Sequence, residues 1–192
     1  TALAQVAPTL PAPITLTLDI IVILNLLKLL MTLQFFIHLH TNIQSMIKFT
    51  CKDTDFKLTR QKVLKDWIKK ILSKYDLRVG DINYLLTNDD QVLQVNKEFL
   101  GHDYYTDIIT FDTSDYEFNP QQDKISADIV ISVDTVRASA EFYGATFEDE
   151  LHRVIIHGIL HLIGYDDHEE EDKIIMRQQE DIALQLLKEY ES

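Results

Sequence analysis

The stretch "HGILHLIGYDDH", His157 to His168, sets three histidines and two aspartates in a segment that is otherwise mostly apolar. His157 and His161 stand at i and i+4, so on a helix their side chains stack on one face. That is the spacing with which a helix offers two imidazoles to one tetrahedral zinc ion. Val154, Ile155, Ile156, Ile159, Leu160, Leu162 and Ile163 surround them, which predicts a helix apolar nearly all round and therefore buried. A buried polar group left without a partner costs ~1–3 kcal/mol. Two imidazoles in such a helix, with further candidate ligands close behind, point to a metal ion rather than to isolated core histidines.

Gly164, three residues after His161, can take the left-handed conformation that ends a helix and lets the chain fold back. The whole pattern, H-x-x-x-H-x-x-G-x-x-D-H, is close to the extended zinc motif of the metzincin proteases. In that spacing the third ligand lies ten residues after the first, which is Asp167, and His168 is one place late. Zinc accepts a carboxylate or an imidazole. Register favours Asp167, ligand frequency favours His168, and both stand as candidates. Three protein ligands leave a fourth position for water, the mark of a catalytic rather than a structural site. Metalloproteases of this type place a glutamate directly after the first histidine as general base, whereas here that position is Gly158. Peptide hydrolysis by the usual route has no proton acceptor, so no side chain is assigned as catalytic and the zinc-bound water remains the reactive group.

The elements that must position these residues follow from periodicity. "MIKFTC" from Met46, "DINYLLT", "TDIITFDT" and "SADIVISV" read as strands, the last two separated by a polar loop containing Pro120. Thr59 precedes "RQKVLKDWIKKILSKY", whose Val63, Leu64, Trp67, Ile68, Ile71 and Leu72 recur at helical spacing. "NDDQVLQVNKEFL" reads as a helix capped by Asn88 or Asp89 and stopped at Gly101. Asp134 is the expected cap of "TVRASAEFYG", and Thr146 with Asp149 resembles a capping box for the histidine helix. A last amphipathic helix occupies roughly 170–190. The expected fold is α+β: a small mixed sheet of about four strands with helices packed around it and the metal-site helix central.

Residues 1–45 differ from the rest. "IIVILNLLKLLMTLQFFIHL" has the length of a membrane span, but Asn25, Lys28, Gln34 and His38 interrupt it, and it lacks the basic start and cleavage site of a signal peptide. It reads as a weak membrane anchor, an appended amphipathic helix, or upstream sequence translated in frame; the fresh start "MIKFTCKDTDF" at Met46 favours the last. The net charge of −13 argues against indiscriminate nucleic-acid binding. The charge is uneven, however: residues 46–80 carry ten Lys/Arg against four Asp, and residues 81–192 seven against twenty-six Asp/Glu. A basic segment on an acidic body can still meet RNA locally, although a lysine-rich solvated helix face is the plainer account. The lone Cys51 excludes an internal disulfide and a cysteine zinc framework, and favours a reducing compartment.

At this point a resemblance enters. "HGILHLIGYDDH" resembles the H-G-x-L-H-L-x-G-Y-D-H signature of the YbeY endoribonucleases, bacterial rRNA maturation factors. The likeness extends through "NKEFLGHDYYTDIITFD" (Asn96 to Asp112) and "ADIVIS" (Ala127 to Ser132), and covers about residues 46–190. It implies that residues 46–192 form a metal-dependent RNase domain with one zinc ion per chain, held by three motif residues that include His157 and His161. It also implies cleavage of single-stranded RNA, a part in 16S rRNA 3′-end maturation and ribosome quality control, rRNA and the small ribosomal subunit as partners, a cytoplasmic location, and no stable membrane partner for residues 46–192.

The chain departs from the family pattern twice. Asp167 stands where the family usually has its third histidine, so His168 aligns only after a one-residue shift. Leu100 stands where an arginine that binds or stabilises phosphate is common; His102 is the nearby substitute. On this reading the basic residues of segment 57–78 hold the RNA backbone, and Tyr104 or Tyr105 either stacks on unpaired bases or packs its own loop. Two rivals share these residues: a non-catalytic ribosome-assembly factor with structural zinc, and a metallohydrolase of another substrate. The acidic run "DDHEEED" reads as the lead into the last helix, with a hard-cation site as its alternative.

Overall fold

The computed structural model describes residues 46–114 and 123–191. The expectations for residues 1–45 and for the loop around Pro120 lie outside the described residues. Four strands form one mixed sheet: β1 (Met46–Cys51), β2 (Arg78–Thr87), β3 (Ile108–Asp112) and β4 (Lys124–Ser132), in the order β1-β2-β4-β3. β1 pairs parallel to β2 and β2 parallel to β4, while β3 runs antiparallel along the edge of β4. The β2–β4 register places Tyr84 beside Ile129 and Leu86 beside Ile131. These inner strands are buried along most of their length, as continuous apolar runs in parallel strands require.

Five helices complete the domain: α1 (Gln61–Lys74), α2 (Asp89–Val95), α3 (Val133–Tyr143), α4 (Phe147–Ile163) and α5 (Glu170–Glu191). The main core joins the sheet to α1, α3, α4 and α5, through residues such as Trp67, Ile82, Ile129, Val136, Ile155 and Leu187. A smaller cluster of Val92, Ile109 and Val130 lies under α2. The helix carrying the two histidines is thus central, as its sequence predicts, and the fold is α+β.

Local signals set the helix ends. The Asn88 side chain accepts the Gln91 N–H at the start of α2, and Thr146 accepts the Asp149 N–H at the start of α4. The expected cap of α3 is corrected: Ser132, the last residue of β4, accepts the Thr135 N–H, and Asp134 lies within the first turn. Strand passes directly into helix there, and the Asp134 carboxylate instead accepts the Asp89 N–H. Among the described residues no helix is long and apolar enough to cross a membrane.

Trp67 ties α1 to α5. It is 0 % exposed, and its indole N–H donates to the Ala183 carbonyl at 2.8 Å. Trp67→Ala leaves a cavity between the two helices and is expected to cost ~3–5 kcal/mol of stability. A fall in the urea unfolding midpoint measures it, and an unchanged midpoint would show that the α1–α5 contact contributes little.

Candidate metal centre

α4 presents His157 and His161 on the face turned toward the chain's return after Gly164, which has φ 108°. Their Nε2 atoms lie 2.9 Å apart. The Asp167 carboxylate oxygen Oδ2 lies 3.5 Å from His157 Nε2 and 3.9 Å from His161 Nε2. The turn that delivers Asp167 is fixed by Asp166, whose Oδ1 accepts the N–H groups of both Asp167 and His168. His168 also lines the cleft but is not grouped with the two histidines: its side chain is 84 % exposed and its Nε2 lies 3.6 Å from Asp166. Of the two candidates for third ligand, the structure groups Asp167 with the histidines.

The inner ring nitrogens define the chemistry of the outer ones. His157 Nδ1 lies 2.8 Å from Glu180 Oε1, and His161 Nδ1 lies 2.9 Å from the Tyr165 carbonyl. Both partners are acceptors, so both Nδ1–H groups donate, and a ring with no further proton turns an Nε2 lone pair outward. Two such lone pairs at 2.9 Å repel unless a proton or a cation lies between them. Three donors at ~2.0–2.1 Å from one tetrahedral zinc ion lie about 3.3 Å from one another. The observed separations, 2.9, 3.5 and 3.9 Å, bracket that value, so the donor set fits a zinc ion.

Behind the triad sits a buried charge network. Glu180 on α5 is 5 % exposed and accepts hydrogen bonds from Arg153 at 3.0 Å and Arg177 at 3.2 Å, besides that from His157. Arg153 also donates to Asp181 at 2.7 Å. Burial pushes Glu180 toward its neutral form, but the bonds and charges of His157 and Arg153 outweigh burial and hold its carboxyl below the usual range. Burial likewise disfavours charge on His157, yet Glu180, with smaller contributions from Asp167 and Asp107, raises its affinity for a proton. Glu180 was not among the residues singled out from sequence. The signal was present: Met176, Glu180, Ala183 and Leu187 share the buried stripe of α5, and a carboxylate in such a stripe needs a partner.

The triad opens onto a cleft of about 510 Å³. His102, Tyr104 and Leu100 line it, together with Thr110, whose buried Oγ1 has no hydrogen-bond partner among the described residues. Tyr105 is exposed but does not line the cleft, and neither does any basic residue of the 57–78 segment. Gly158 faces β3 so closely that a Cβ there would lie 2.9 Å from both Ile108 Cδ1 and Thr110 Oγ1. The position that carries a glutamate in metalloproteases has no room for one. Asp166, Asp167 and His168 form a second grouping on the turn, but two of its three members are exposed. The acidic run leads into the first turn of α5, where Glu170, Glu171 and Asp172 complement the helix dipole.

Glu150, on α4 beside Arg153, is buried, and burial raises its affinity for a proton despite the opposing charges of Arg153 and Arg177. The folded state therefore holds this proton to higher pH than the unfolded chain does. Its contribution to stability is complete at low pH and is lost as pH rises through the raised value. Glu150→Gln is expected to raise the thermal midpoint at about pH 8 and to match the parent protein near pH ~4. Thermal unfolding at both pH values measures this, and a lower midpoint for the variant at high pH would count against it.

Comparison with known proteins agrees with this architecture. The family model described as Endoribonuclease YbeY matches residues 44–188. Endoribonuclease YbeY of Porphyromonas gingivalis is 44 % identical over 143 residues, covering 74 % of this chain and 91 % of that protein. Its namesake in Bacteroides thetaiotaomicron is 49 % identical over 119 residues, covering 62 % of this chain and 82 % of that protein. The solution structure of TM1509 from Thermotoga maritima superposes with a TM-score of 0.51 at 26 % identity, over 74 % of this chain and 89 % of that one. The chain belongs to the YbeY endoribonuclease family.

Proposed function

We propose that this protein is a zinc-dependent endoribonuclease that cuts single-stranded RNA and serves 16S rRNA 3′-end maturation and ribosome quality control in the cytoplasm, with rRNA and the small ribosomal subunit as its partners. The observation that carries the metal-dependent reading is the pair of Nε2 atoms 2.9 Å apart, joined by the Asp167 carboxylate and opening onto a cleft. Membership of a family named for endoribonuclease activity supplies the reaction class.

His157, His161 and Asp167 hold the zinc ion, one per chain, and His168 stays outside the set. When bound, the ion supplies Lewis acidity toward water and phosphoryl oxygen. The protein's own groups do the positioning. Glu180 and the Tyr165 carbonyl fix the two ring orientations, and Arg153 and Arg177 donate hydrogen bonds to Glu180 from the other side. With glycine at 158 and no lysine or arginine lining the cleft among the described residues, the chain offers neither the protease base nor a guanidinium clamp. The rival of a purely structural zinc is less consistent with a triad that lines a cleft than with one sealed in the core.

The test is cleavage of a single-stranded rRNA 3′-end fragment by the protein, with bound zinc quantified alongside. His161→Ala and Asp167→Ala are each expected to lose zinc and to lower cleavage by at least about a hundredfold, whereas His168→Ala retains both. Zinc loss in His168→Ala with retention in Asp167→Ala would reverse the ligand assignment. Full zinc occupancy without cleavage would favour the assembly factor. Glu180→Gln is expected to weaken zinc binding ~10–100-fold in a chelator competition, because the His157 ring loses its anionic acceptor.

A further inference from the structure

We propose that the stacked rings of His102 and Tyr104 form a nucleobase-binding shelf, on which an unpaired base of the substrate RNA continues the stack while its backbone runs along the metal triad. This deepens the endoribonuclease reading and rests on it. The two rings lie 5.2 Å apart between centroids with planes 20° apart, and Tyr104 Oη and His102 Nδ1 share a hydrogen bond of 3.1 Å. Both side chains line the cleft that holds His157 and His161. Tyr104 is 57 % exposed, so the pair is not a piece of core that happens to reach the surface.

The shelf is built rather than fortuitous. The last turn after α2 widens into a π turn over Asn96–Leu100 and ends at Gly101, where φ is 69°. Asn96 is buried, and its carbonyl accepts the His102 N–H at 3.2 Å while its side-chain amide donates to the Tyr104 carbonyl at 2.9 Å. One buried residue thus fixes the backbone on both sides of Asp103. Asp103 itself turns aside to pair with Lys97 at 2.7 Å. Two exposed aromatic rings held in register by buried polar bonds lose little entropy when a flat partner is added.

The electrostatics select the partner. No lysine or arginine lines this cleft among the described residues, and Asp107, Asp112 and Asp167 do. A polyanion held there gains little from phosphate contacts to the walls, so the available attraction is to the faces of its bases. A base pair inside a helix cannot offer such a face, whereas an unpaired nucleotide can. The shelf therefore accounts for a preference for single strands without reading sequence.

The test is a walk of one abasic position along a short single-stranded RNA cut by the zinc-loaded protein, comparing the parent with Tyr104→Ala and Tyr104→Phe. At one position, loss of the base is expected to lower kcat/KM by about five- to 150-fold in the parent. Tyr104→Ala is expected to lose the same factor on intact RNA and to be insensitive to the abasic position, while Tyr104→Phe keeps most of the effect. Zinc content equal in all three proteins separates the shelf from damage to the metal centre. A flat abasic walk, or losses that multiply when variant and abasic RNA are combined, would overturn the shelf and leave the nuclease standing. Failure of the parent protein to cut any RNA would overturn both.

Discussion

α4 carries three histidines in a helix with almost no wet face, and for two of them, His157 and His161, the ring nitrogen turned into the protein needs an acceptor there. For His161 the acceptor comes cheaply, from the Tyr165 carbonyl just past the helix end. For His157 it is a carboxylate from another helix, Glu180, itself nearly fully buried. A buried carboxylate needs cations in turn, and Arg153 and Arg177 supply them, with Asp181 balancing Arg153. Demand for one acceptor thus propagates into a network that joins α4 to α5. The polar contact of the last helix with α4 and the orientation of the His157 ring share these bonds, so altering one disturbs the other.

A second constraint comes from the side of α4 that faces β3, next to the histidines. Gly158 lets the helix settle against β3 with Ile108 and Thr110 at the distance where a side chain would otherwise begin. This approach brings the edge strand, and with it the loop that bears His102 and Tyr104, up to the histidines to form one cleft. In a zinc protease the same position holds the general base. Here packing has taken it, which turns the helix motif away from peptide chemistry by geometry as well as by the missing carboxylate.

Much of this was legible in the sequence because the relevant signals are local. The apolar periods of α1 and the strands, the Asn88 and Thr146 caps, and Gly101, Gly144 and Gly164, all at positive φ, lie within a few residues of the elements they define. The i,i+4 histidines likewise declare a shared face. The remainder depends on contacts between distant segments. Asp134 and Ser132 are both capping residue types, and only the direct passage of β4 into α3 chooses Ser132. Asp167 and His168 are equally reachable beyond Gly164 until the Asp166 side chain fixes the turn. Glu180 lies twenty-three residues from its histidine, and nothing local names the partner of a carboxylate on a buried stripe.

The distribution of charge also reconciles an acidic protein with a polyanionic substrate. The ten basic residues of segment 46–80 are already counted in the net charge of −13, but those of its 57–78 part do not line the cleft, and its walls carry Asp107, Asp112 and Asp167. Among the described residues no lysine or arginine therefore meets phosphate in the cleft, and on the proposed reading a bound divalent ion would be the main positive charge a scissile phosphate meets there. An arginine at position 100 would add a second positive charge that is independent of the metal; Leu100 does not. With Leu100, attraction to phosphate would be tied to metal occupancy, while contact with base faces would be independent of it. On the proposed reading, a site divided in this way would respond to metal loading in its chemistry and to unpaired bases in its selectivity, and the two could be varied separately because different segments of the chain supply them.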